Sequence, residues 1–182
     1  MNKKIKIWQG GNNLIHRGIP DYLLTTNSQI LLLNDGSLTR YLQIFTHSKI
    51  EIQVIQISEV KETCSRIPML VKKLLPHPYI KREICLCEKN GVRLIHATSW
   101  WTYSNQGSSC SFLPIWANLN RSRLNVYKDL QNIYLFNDNY LEEMFKQKGP
   151  FWGRDYLFWA ENKPLTFISE SFSPSLISNC VF

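Results

Sequence analysis

The 182-residue sequence lacks a long hydrophobic run, since even an apolar cluster such as residues 29–33 is short and ends at Asn34 and Asp35. A membrane-spanning helix needs about 18 or more apolar residues, so the pattern predicts none. The lysines near the N-terminus precede no apolar stretch, which argues against a secretory signal. Charged residues are also scarce, at 19% against 44% hydrophobic residues, and this balance excludes an intrinsically disordered chain.

The motifs of common cofactor sites are missing as well. Gly10-Gly11 lacks the further glycines and the lysine of a phosphate-binding loop, and no G-x-S-x-G nucleophile motif occurs. The five cysteines contain no C-x-x-C pair, and the four histidines show no metal-ligand spacing. We therefore expect reduced cysteines, a protein that is not secreted, and no metal or organic cofactor. Any chemistry would then come from side chains and backbone amides.

Positive charge is present but is not clustered. Lysine and arginine number 21 against 14 aspartates and glutamates, a formal net charge of +7. Such an excess suits nucleic acid, an anionic membrane surface or a small anionic substrate. The basic residues form no RNP-like or basic-helix pattern, which disfavours nucleic acid. Lack of clustering also disfavours a membrane surface, so a small anion is the ligand class that remains, unless the charge serves solubility alone. An aromatic content of 13% suits a pocket around a ring.

Hydrophobic periodicity and turn residues predict a single α+β domain over residues 1–182. Asn90-Gly91 is a strong hairpin signal, and Asn162-Lys163 marks a second hairpin. Because the strands come as hairpins rather than as alternating strand–helix units, we expect a mainly antiparallel sheet with helices packed on one face. The predicted strands are residues 4–7 (a strand or an extended arm), 50–57 with a bulge, 81–87, 92–101, 154–160 and 165–172, and the predicted helices are residues 20–33, 59–75, 121–135 and 139–148.

Two charged residues fall on strands that are otherwise apolar. If Arg82 faces inward beside Ile84 it needs an anion, and its planar guanidinium suits a carboxylate. The alternative is an edge residue in solvent. Glu170 is in phase with Ile168 and Phe172, so burial would raise its pKa unless a cation or a donor compensates. Such a carboxylate is typical of proton handling or hydroxyl recognition, and the alternative is a structural salt bridge, for instance with Arg82.

The segment Gly149–Trp159 (GPFWGRDYLFW) places two glycines around an aromatic pair, which is typical of a tight turn entering a strand. Its aromatic residues could form a wall that stacks on a ring, or the hinge of a flap. The simpler interpretation is a corner that fills the core, and we favour it for the tryptophans.

Three motifs resemble chorismate lyase in their order and spacing: Leu33–Arg40 (LNDGSLTR), Lys81–Cys87 (KREICLC) and Ser169–Pro174 (SESFSP). The cyanobacterial and plastid-encoded branch of that family also carries runs similar to Asn120–Gln131 (NRSRLNVYKDLQ) and Gly149–Trp159. The resemblance covers residues 20–176. Each motif is short, and their shared order is more specific than any one of them.

This resemblance implies a monomeric α+β fold with an antiparallel sheet of about six strands, no cofactor, and conversion of chorismate to 4-hydroxybenzoate and pyruvate. It implies that Arg82 grips a carboxylate of the ligand and that Glu170 meets the ring hydroxyl. Backbone amides at Leu38 and Leu124 would complete the carboxylate site, although Asn125 stands where the bacterial pattern has glycine. The product would feed a quinone such as plastoquinone, in a plastid stroma or a cytoplasm.

The main alternative is a non-catalytic module that binds an aromatic carboxylate on the same fold. Effector domains of some bacterial transcription regulators resemble chorismate lyases, but they follow a DNA-binding helix-turn-helix domain. We expect no such domain here, because there is no room for one before residue 20. Whether Glu170 moves a proton or only recognises a hydroxyl is open at this point, since a base must reach the proton that it takes.

Overall fold

A computed structural model of the chain describes residues 4–11, 17, 19, 23–102 and 125–177. Within these residues, seven strands form one antiparallel sheet in the order β1-β5-β6-β7-β4-β3-β2. The strands are β1 (Ile5–Gly10), β2 (Ile50–Val60), β3 (Tyr79–Glu88), β4 (Arg93–Thr102), β5 (Val126–Asn137), β6 (Phe151–Ala160) and β7 (Lys163–Phe172). The α+β class and the antiparallel sheet are therefore confirmed, with one strand more than the resemblance implies.

Two tight turns set the register of the central strands, and the sequence predicts both. β3 and β4 meet around Asn90-Gly91, where Gly91 has a φ of 85° that a residue without a side chain adopts readily. β6 and β7 are joined at Glu161 and Asn162, with φ values of 50° and 61°. Positive φ at both positions is the requirement of a type I′ hairpin turn. The expected bulge in β2 is also present.

Four helices accompany the sheet within the described residues: α1 (Thr26–Leu33), α2 (Leu38–Thr46), α3 (Met69–Leu74) and α4 (Asn139–Phe145). Three of them begin at a side chain that accepts a hydrogen bond from a backbone N–H group of the first turn. These capping residues are Thr25 for α1, Ser37 for α2 and Asp138 for α4. None of the helices in this part of the chain has the length and hydropathy to span a membrane.

The helices lie on both faces of the sheet rather than on one. α1 and α2 pack against the face that carries Ile84, Ile95 and Phe172, whereas α3 and α4 pack against the opposite face. The reason lies in β6 and β7, which are buried at most of their positions on both faces. Strands of that kind need a covering layer on each side.

The predicted helices differ from the observed ones in several places: α2 is not predicted, and α4 ends at Phe145 rather than at residue 148. The helix predicted over residues 121–135 is wrong from Val126 onward, because β5 lies there with a bulge between Leu130 and Asn132 that breaks the apolar alternation. The helix predicted over residues 59–75 is mostly wrong, since β2 continues to pair through Val60 and only the short α3 follows. α1 is shorter than predicted, and residues 20–22 and 121–124 lie outside the described residues.

The segment Gly149–Trp159 forms the approach to β6 and most of that strand. Trp152 is buried and packs edge to face against Trp8, with 5.4 Å between the ring centres. This tryptophan therefore fills the core, as we expect from the sequence.

Gly153 lies within β6 at a point of close approach between neighbouring strands. A Cβ atom at this position would lie 2.6 Å from Cε2 of Tyr134 and 3.0 Å from the backbone oxygen of Glu170. The absence of a side chain lets the Tyr134 ring lie on the strand, where its hydroxyl donates to Asp155 Oδ1 at 2.8 Å. Gly153 thus serves packing rather than a turn.

Replacing Gly153 with alanine should lower the free energy of unfolding by about 1–3 kcal/mol, because the added methyl group must displace a buried ring or a backbone. Gly11→Ala is the matched control, since a Cβ atom there meets nothing within 4 Å. Urea unfolding at neutral pH measures both variants. Equal unfolding midpoints for the two would contradict this packing role.

Candidate ligand cavity

A cavity lies between the sheet and the start of α2, on the face that α1 and α2 cover. Its space is about 640 Å³ when the open mouth is included. Apolar side chains dominate the lining, and the charged residues in it are Arg82, Lys128 and Glu170. The full lining is Gly36, Ser37, Leu38, Thr39, Ile52, Arg82, Ile84, Leu86, Ala97, Ser99, Lys128, Tyr156, Phe158, Ile168 and Glu170.

The N-terminus of α2 forms the roof of the cavity. Ser37 caps the helix, and its Oγ accepts a hydrogen bond from the Arg40 backbone N–H at 3.4 Å. Leu38 is the first helical residue, it is buried, and it lines the cavity. The backbone N–H groups of a first helical turn have no carbonyl partner within the helix, so this end of α2 favours an anion nearby.

Arg82 lines one end of the cavity and is buried, with 2% of its surface exposed. It points to the same face of β3 as Ile84 and Leu86, so it faces inward rather than lying in solvent. Its guanidinium carbon lies 5.8 Å from the centre of the Trp101 ring. Burial lowers the pKa of Arg82, but an arginine stays charged at neutral pH. This end of the cavity is therefore positive.

Glu170 lies on β7 and is 5% exposed. Its carboxylate accepts two short hydrogen bonds, from Arg154 Nε to Oε2 at 2.7 Å and from the Tyr156 hydroxyl to Oε1 at 2.7 Å. Burial raises the pKa of Glu170, but the charges of Arg154 and Lys128 and these hydrogen bonds outweigh it, so the pKa lies below its usual value. The carboxylate is therefore ionised at neutral pH. A salt bridge is present, but its cation is Arg154 and not Arg82.

Arg154 ties the sheet to the end of α1. Its side chain is fully buried. Its Nη1 donates to three backbone oxygens, those of Leu31, Leu32 and Asn34, at 3.2, 2.7 and 3.2 Å. Carbonyl groups at the end of a helix have no partner within it. One guanidinium therefore satisfies the end of α1 and holds the Glu170 carboxylate at the same time.

Lys128 reaches the same cavity from β5. Its Nζ donates to the Asn34 backbone oxygen at 2.8 Å and lies 4.1 Å from the centre of the Tyr156 ring. Burial, assisted by the charge of Arg154, lowers the pKa of Lys128 to about 7, although two nearby carboxylates act in the opposite direction. This lysine is thus held in an environment that penalises its charge.

Three of the four site residues that the sequence predicts line this one cavity: Leu38, Arg82 and Glu170. The fourth, Leu124, lies outside the described residues. The cavity therefore brings together residues from β3, β7 and the start of α2 that are far apart in the chain. Their roles in binding a ligand stay predictions.

Arg154, Tyr156 and Lys128 also shape this region, although no sequence pattern assigns them a role. A signal for the first two does exist, because residues 154 and 156 share the face of β6 that looks toward Glu170 on β7. An arginine and a tyrosine at alternate positions of a buried strand must find polar partners. The face of the sheet on which Lys128 lies cannot be predicted as long as residues 121–135 are interpreted as a helix rather than as a strand.

The chain matches a known family over most of its length. A family model described as chorismate pyruvate-lyase Rv2949c-like matches residues 32–179, which include six of the seven strands and the whole cavity lining. The fold is that of a chorismate lyase-like α+β domain. The chain belongs to the Rv2949c-like chorismate pyruvate-lyase family.

Relatives are similar over nearly the whole chain. The chain is 41% identical over 172 residues to the "Uncharacterized protein ycf21" of Cyanophora paradoxa, which covers 92% of this chain and 88% of the relative. It is 32% identical over 150 residues to the ycf21 protein of Pyropia yezoensis, covering 81% of each. The similarity thus includes both the helical roof and the sheet.

Solved structures with the same fold include domains of transcriptional regulators. The effector domain of PhnF from Mycobacterium smegmatis superposes with a TM-score of 0.57 at 11% identity, covering 77% of this chain and 90% of that one. The ligand-binding domain of a GntR-family regulator from Bordetella bronchiseptica gives a TM-score of 0.53 at 9% identity, covering 72% and 88%. At such identities the likeness shows the fold alone.

Arg154→Met should destabilise the fold by about 3–5 kcal/mol, because it leaves Glu170 ionised, buried and without its cation. The pKa of Glu170 is lowered in the folded protein, so the stability from this pair is fully present above the usual pKa of a glutamic acid. It is lost as the pH falls through the lowered folded-state value. Urea unfolding should therefore be measured as a function of pH. The difference in the free energy of unfolding between wild type and Arg154→Met should become smaller at acidic pH.

Lys148→Met is the control for this experiment, because it removes an ion pair with Glu142 of similar length, 2.8 Å, in which the lysine side chain is 90% exposed. Exposed pairs contribute little to stability. If Arg154→Met lowers the free energy of unfolding at neutral pH no more than Lys148→Met does, a structural role for the Arg154–Glu170 pair is contradicted.

Proposed function

We propose that the protein is a chorismate pyruvate-lyase that converts chorismate to 4-hydroxybenzoate and pyruvate. The observation that carries this proposal is the pair of groups facing one largely apolar cavity, the Arg82 guanidinium and the Glu170 carboxylate. Membership of the chorismate pyruvate-lyase family supports the same activity.

The spacing of the two groups suits a ring substituted at opposite ends. Arg82 pairs with Ser99 across the sheet, and Glu170 pairs with Ala97 two residues earlier on the same strand. One strand, β4, lies between them, so two inter-strand spacings and two residues separate their Cα atoms, which amounts to about 12 Å in a regular sheet. Because both side chains reach into the space between, a single ring fits with a carboxylate on Arg82 and a hydroxyl on Glu170.

Arg82 acts as the anchor for the ring carboxylate, because its planar guanidinium can donate two parallel hydrogen bonds to it. The backbone N–H groups at Leu38 and Leu124 complete this carboxylate site in the proposal. Glu170 accepts a hydrogen bond from the ring hydroxyl at C4. An ionised carboxylate offers about four acceptor positions, so acceptor capacity is left beyond the bonds from Arg154 and Tyr156.

The reaction needs positioning more than strong chemical assistance, because its product ring is aromatic. The ether bond at C3 breaks and the hydrogen at C4 leaves, so the atoms of chorismate divide into 4-hydroxybenzoate and pyruvate without another reactant. The hydrogen can pass to the methylene carbon of the departing side chain within the substrate itself. Orientation of the ring and preorganised charges then account for most of the reduction in the activation free energy.

Glu170 is assigned to recognition of the hydroxyl rather than to removal of the C4 hydrogen. It already accepts hydrogen bonds from Arg154 and Tyr156, and its pKa is lowered. Both features make a carboxylate a weaker base. A fixed, ionised acceptor is well suited to hold the hydroxyl that becomes the phenol.

We further infer a monomer that works without metal or organic cofactor in a plastid stroma or a cytoplasm. Its product would supply the ring of a quinone such as plastoquinone. Similarity to the ycf21 proteins supports a plastid setting. The product keeps a carboxylate for Arg82 and a hydroxyl for Glu170, so 4-hydroxybenzoate should also bind to the same groups.

The proposal is tested by incubating the pure protein with chorismate in the presence of EDTA. Pyruvate, followed by a coupled enzymatic assay, and 4-hydroxybenzoate, followed by chromatography, should appear in equal amounts. Arg82→Met should lower kcat/KM by about 100-fold, because a charged carboxylate anchor contributes about 1.5–3 kcal/mol. Arg66→Met is the matched control, since Arg66 is exposed in the chain before α3, and it should leave kcat/KM unchanged.

Two outcomes would contradict the lyase proposal. Binding of 4-hydroxybenzoate without release of pyruvate from chorismate would favour a non-catalytic module that binds aromatic carboxylates. Pyruvate accompanied by a different aromatic acid would indicate another chorismate-using reaction.

A further inference from the structure

Three charged residues line the cavity. In the proposed function Arg82 binds the ring carboxylate and Glu170 binds the hydroxyl, whereas Lys128 has no role. Its Nζ makes one hydrogen bond among the described residues, to the Asn34 backbone oxygen, and no ion pair within 4 Å. An ammonium group has three N–H donors. Lys128 therefore has donor capacity toward the cavity that a ligand can use.

The position of Lys128 is on the Glu170 side of the cavity. The Lys128 Nζ lies 4.1 Å from the centre of the Tyr156 ring, and the hydroxyl of that ring donates to Glu170. Arg82 is far from this point, because β3 and β5 are separated by three strands. At the usual spacing this places their backbones about 19 Å apart. The two cations therefore stand at opposite sides of the cavity, with Glu170 nearer to Lys128.

The connectivity of chorismate matches this arrangement. The substrate carries a ring carboxylate at C1, a hydroxyl at C4 and, at the neighbouring C3, an ether to a side chain with a second carboxylate. With the first carboxylate on Arg82 and the hydroxyl on Glu170, the side chain leaves the ring beside Glu170. That is the side on which Lys128 lies.

We propose that Lys128 binds the carboxylate of the enolpyruvyl side chain and so makes the cavity select a ligand with two carboxylates over one with a single carboxylate. This inference rests on the proposed function. Arg82 and Glu170 are shared by substrate and product, whereas Lys128 contacts only the part of chorismate that departs as pyruvate. Lys128 thus distinguishes the substrate from the product that would otherwise compete for the same site.

The environment of Lys128 supports this role. The groups that face it are Arg154 and Tyr156 from β6, Glu170 from β7 and Asp35 from the loop before α2. Burial, with the charge of Arg154, brings the pKa of Lys128 to about 7, so this lysine is only partly protonated at neutral pH. A bound carboxylate favours the protonated form. Substrate affinity should therefore weaken as the pH rises above neutral.

The test compares two ligands in three variants. For Lys128→Met, the KM or Kd for chorismate should rise by about 10- to 100-fold, the loss expected for one charged hydrogen-bonded contact. The Kd for 4-hydroxybenzoate, measured by calorimetry, should change less than about threefold, because the product lacks the second carboxylate.

Lys128→Arg should restore much of the chorismate affinity and remove its weakening above neutral pH, since arginine stays protonated. Lys73→Met, at an exposed lysine of α3, is the control.

Retained binding of 4-hydroxybenzoate shows that the Lys128→Met protein is folded. Equal losses for the two ligands would overturn the inference, since they would indicate a structural role, and an unchanged KM for chorismate would overturn it as well. A different outcome contradicts the proposed function alone: the wild-type protein binds chorismate but releases no pyruvate. In that case the ratio of the two Kd values still tests Lys128. A wild-type protein that binds neither ligand would overturn both proposals.

Discussion

The fully buried guanidinium of Arg154 is the constraint on which the cavity depends. It must meet a negative charge and several acceptors to be stable away from water, and it meets them in Glu170 and in the carbonyl groups at the end of α1. This requirement connects the middle of the sheet to the helix that precedes the roof. The position of α2, and with it the position of Leu38, follows from where α1 ends.

The same network decides the chemical character of Glu170. Burial alone raises the pKa of such a carboxylate, but Arg154, Lys128 and Tyr156 lower it and keep the group ionised and fixed in orientation. Arg82, separated from this cluster by the width of two strands, makes the opposite end of the cavity positive. An apolar space with a cationic and an anionic group at its two ends is suited to one small aromatic acid with a hydroxyl.

Much of this could be predicted from the sequence, because strand periodicity and turn residues act locally. Asn90-Gly91 and Asn162-Lys163 are enough to predict two hairpins, and the alternation around Glu170 predicts an inward carboxylate. The helix predicted over residues 121–135 is wrong because a bulge breaks the alternation of β5, and this error also concealed Lys128. The partner of Glu170 could not be predicted either. The choice between Arg82 and Arg154 depends on the pairing of β6 with β7 and on where α1 ends, which are tertiary features.

The most direct test of this account is an experimental structure of the protein with 4-hydroxybenzoate. The account predicts that the ligand carboxylate lies within hydrogen-bond distance of the Arg82 guanidinium and the Leu38 backbone N–H. It predicts that the phenolic oxygen lies within hydrogen-bond distance of the Glu170 carboxylate, with the Arg154–Glu170 contact retained. A ligand bound in the reverse orientation, or bound outside this cavity, would contradict it.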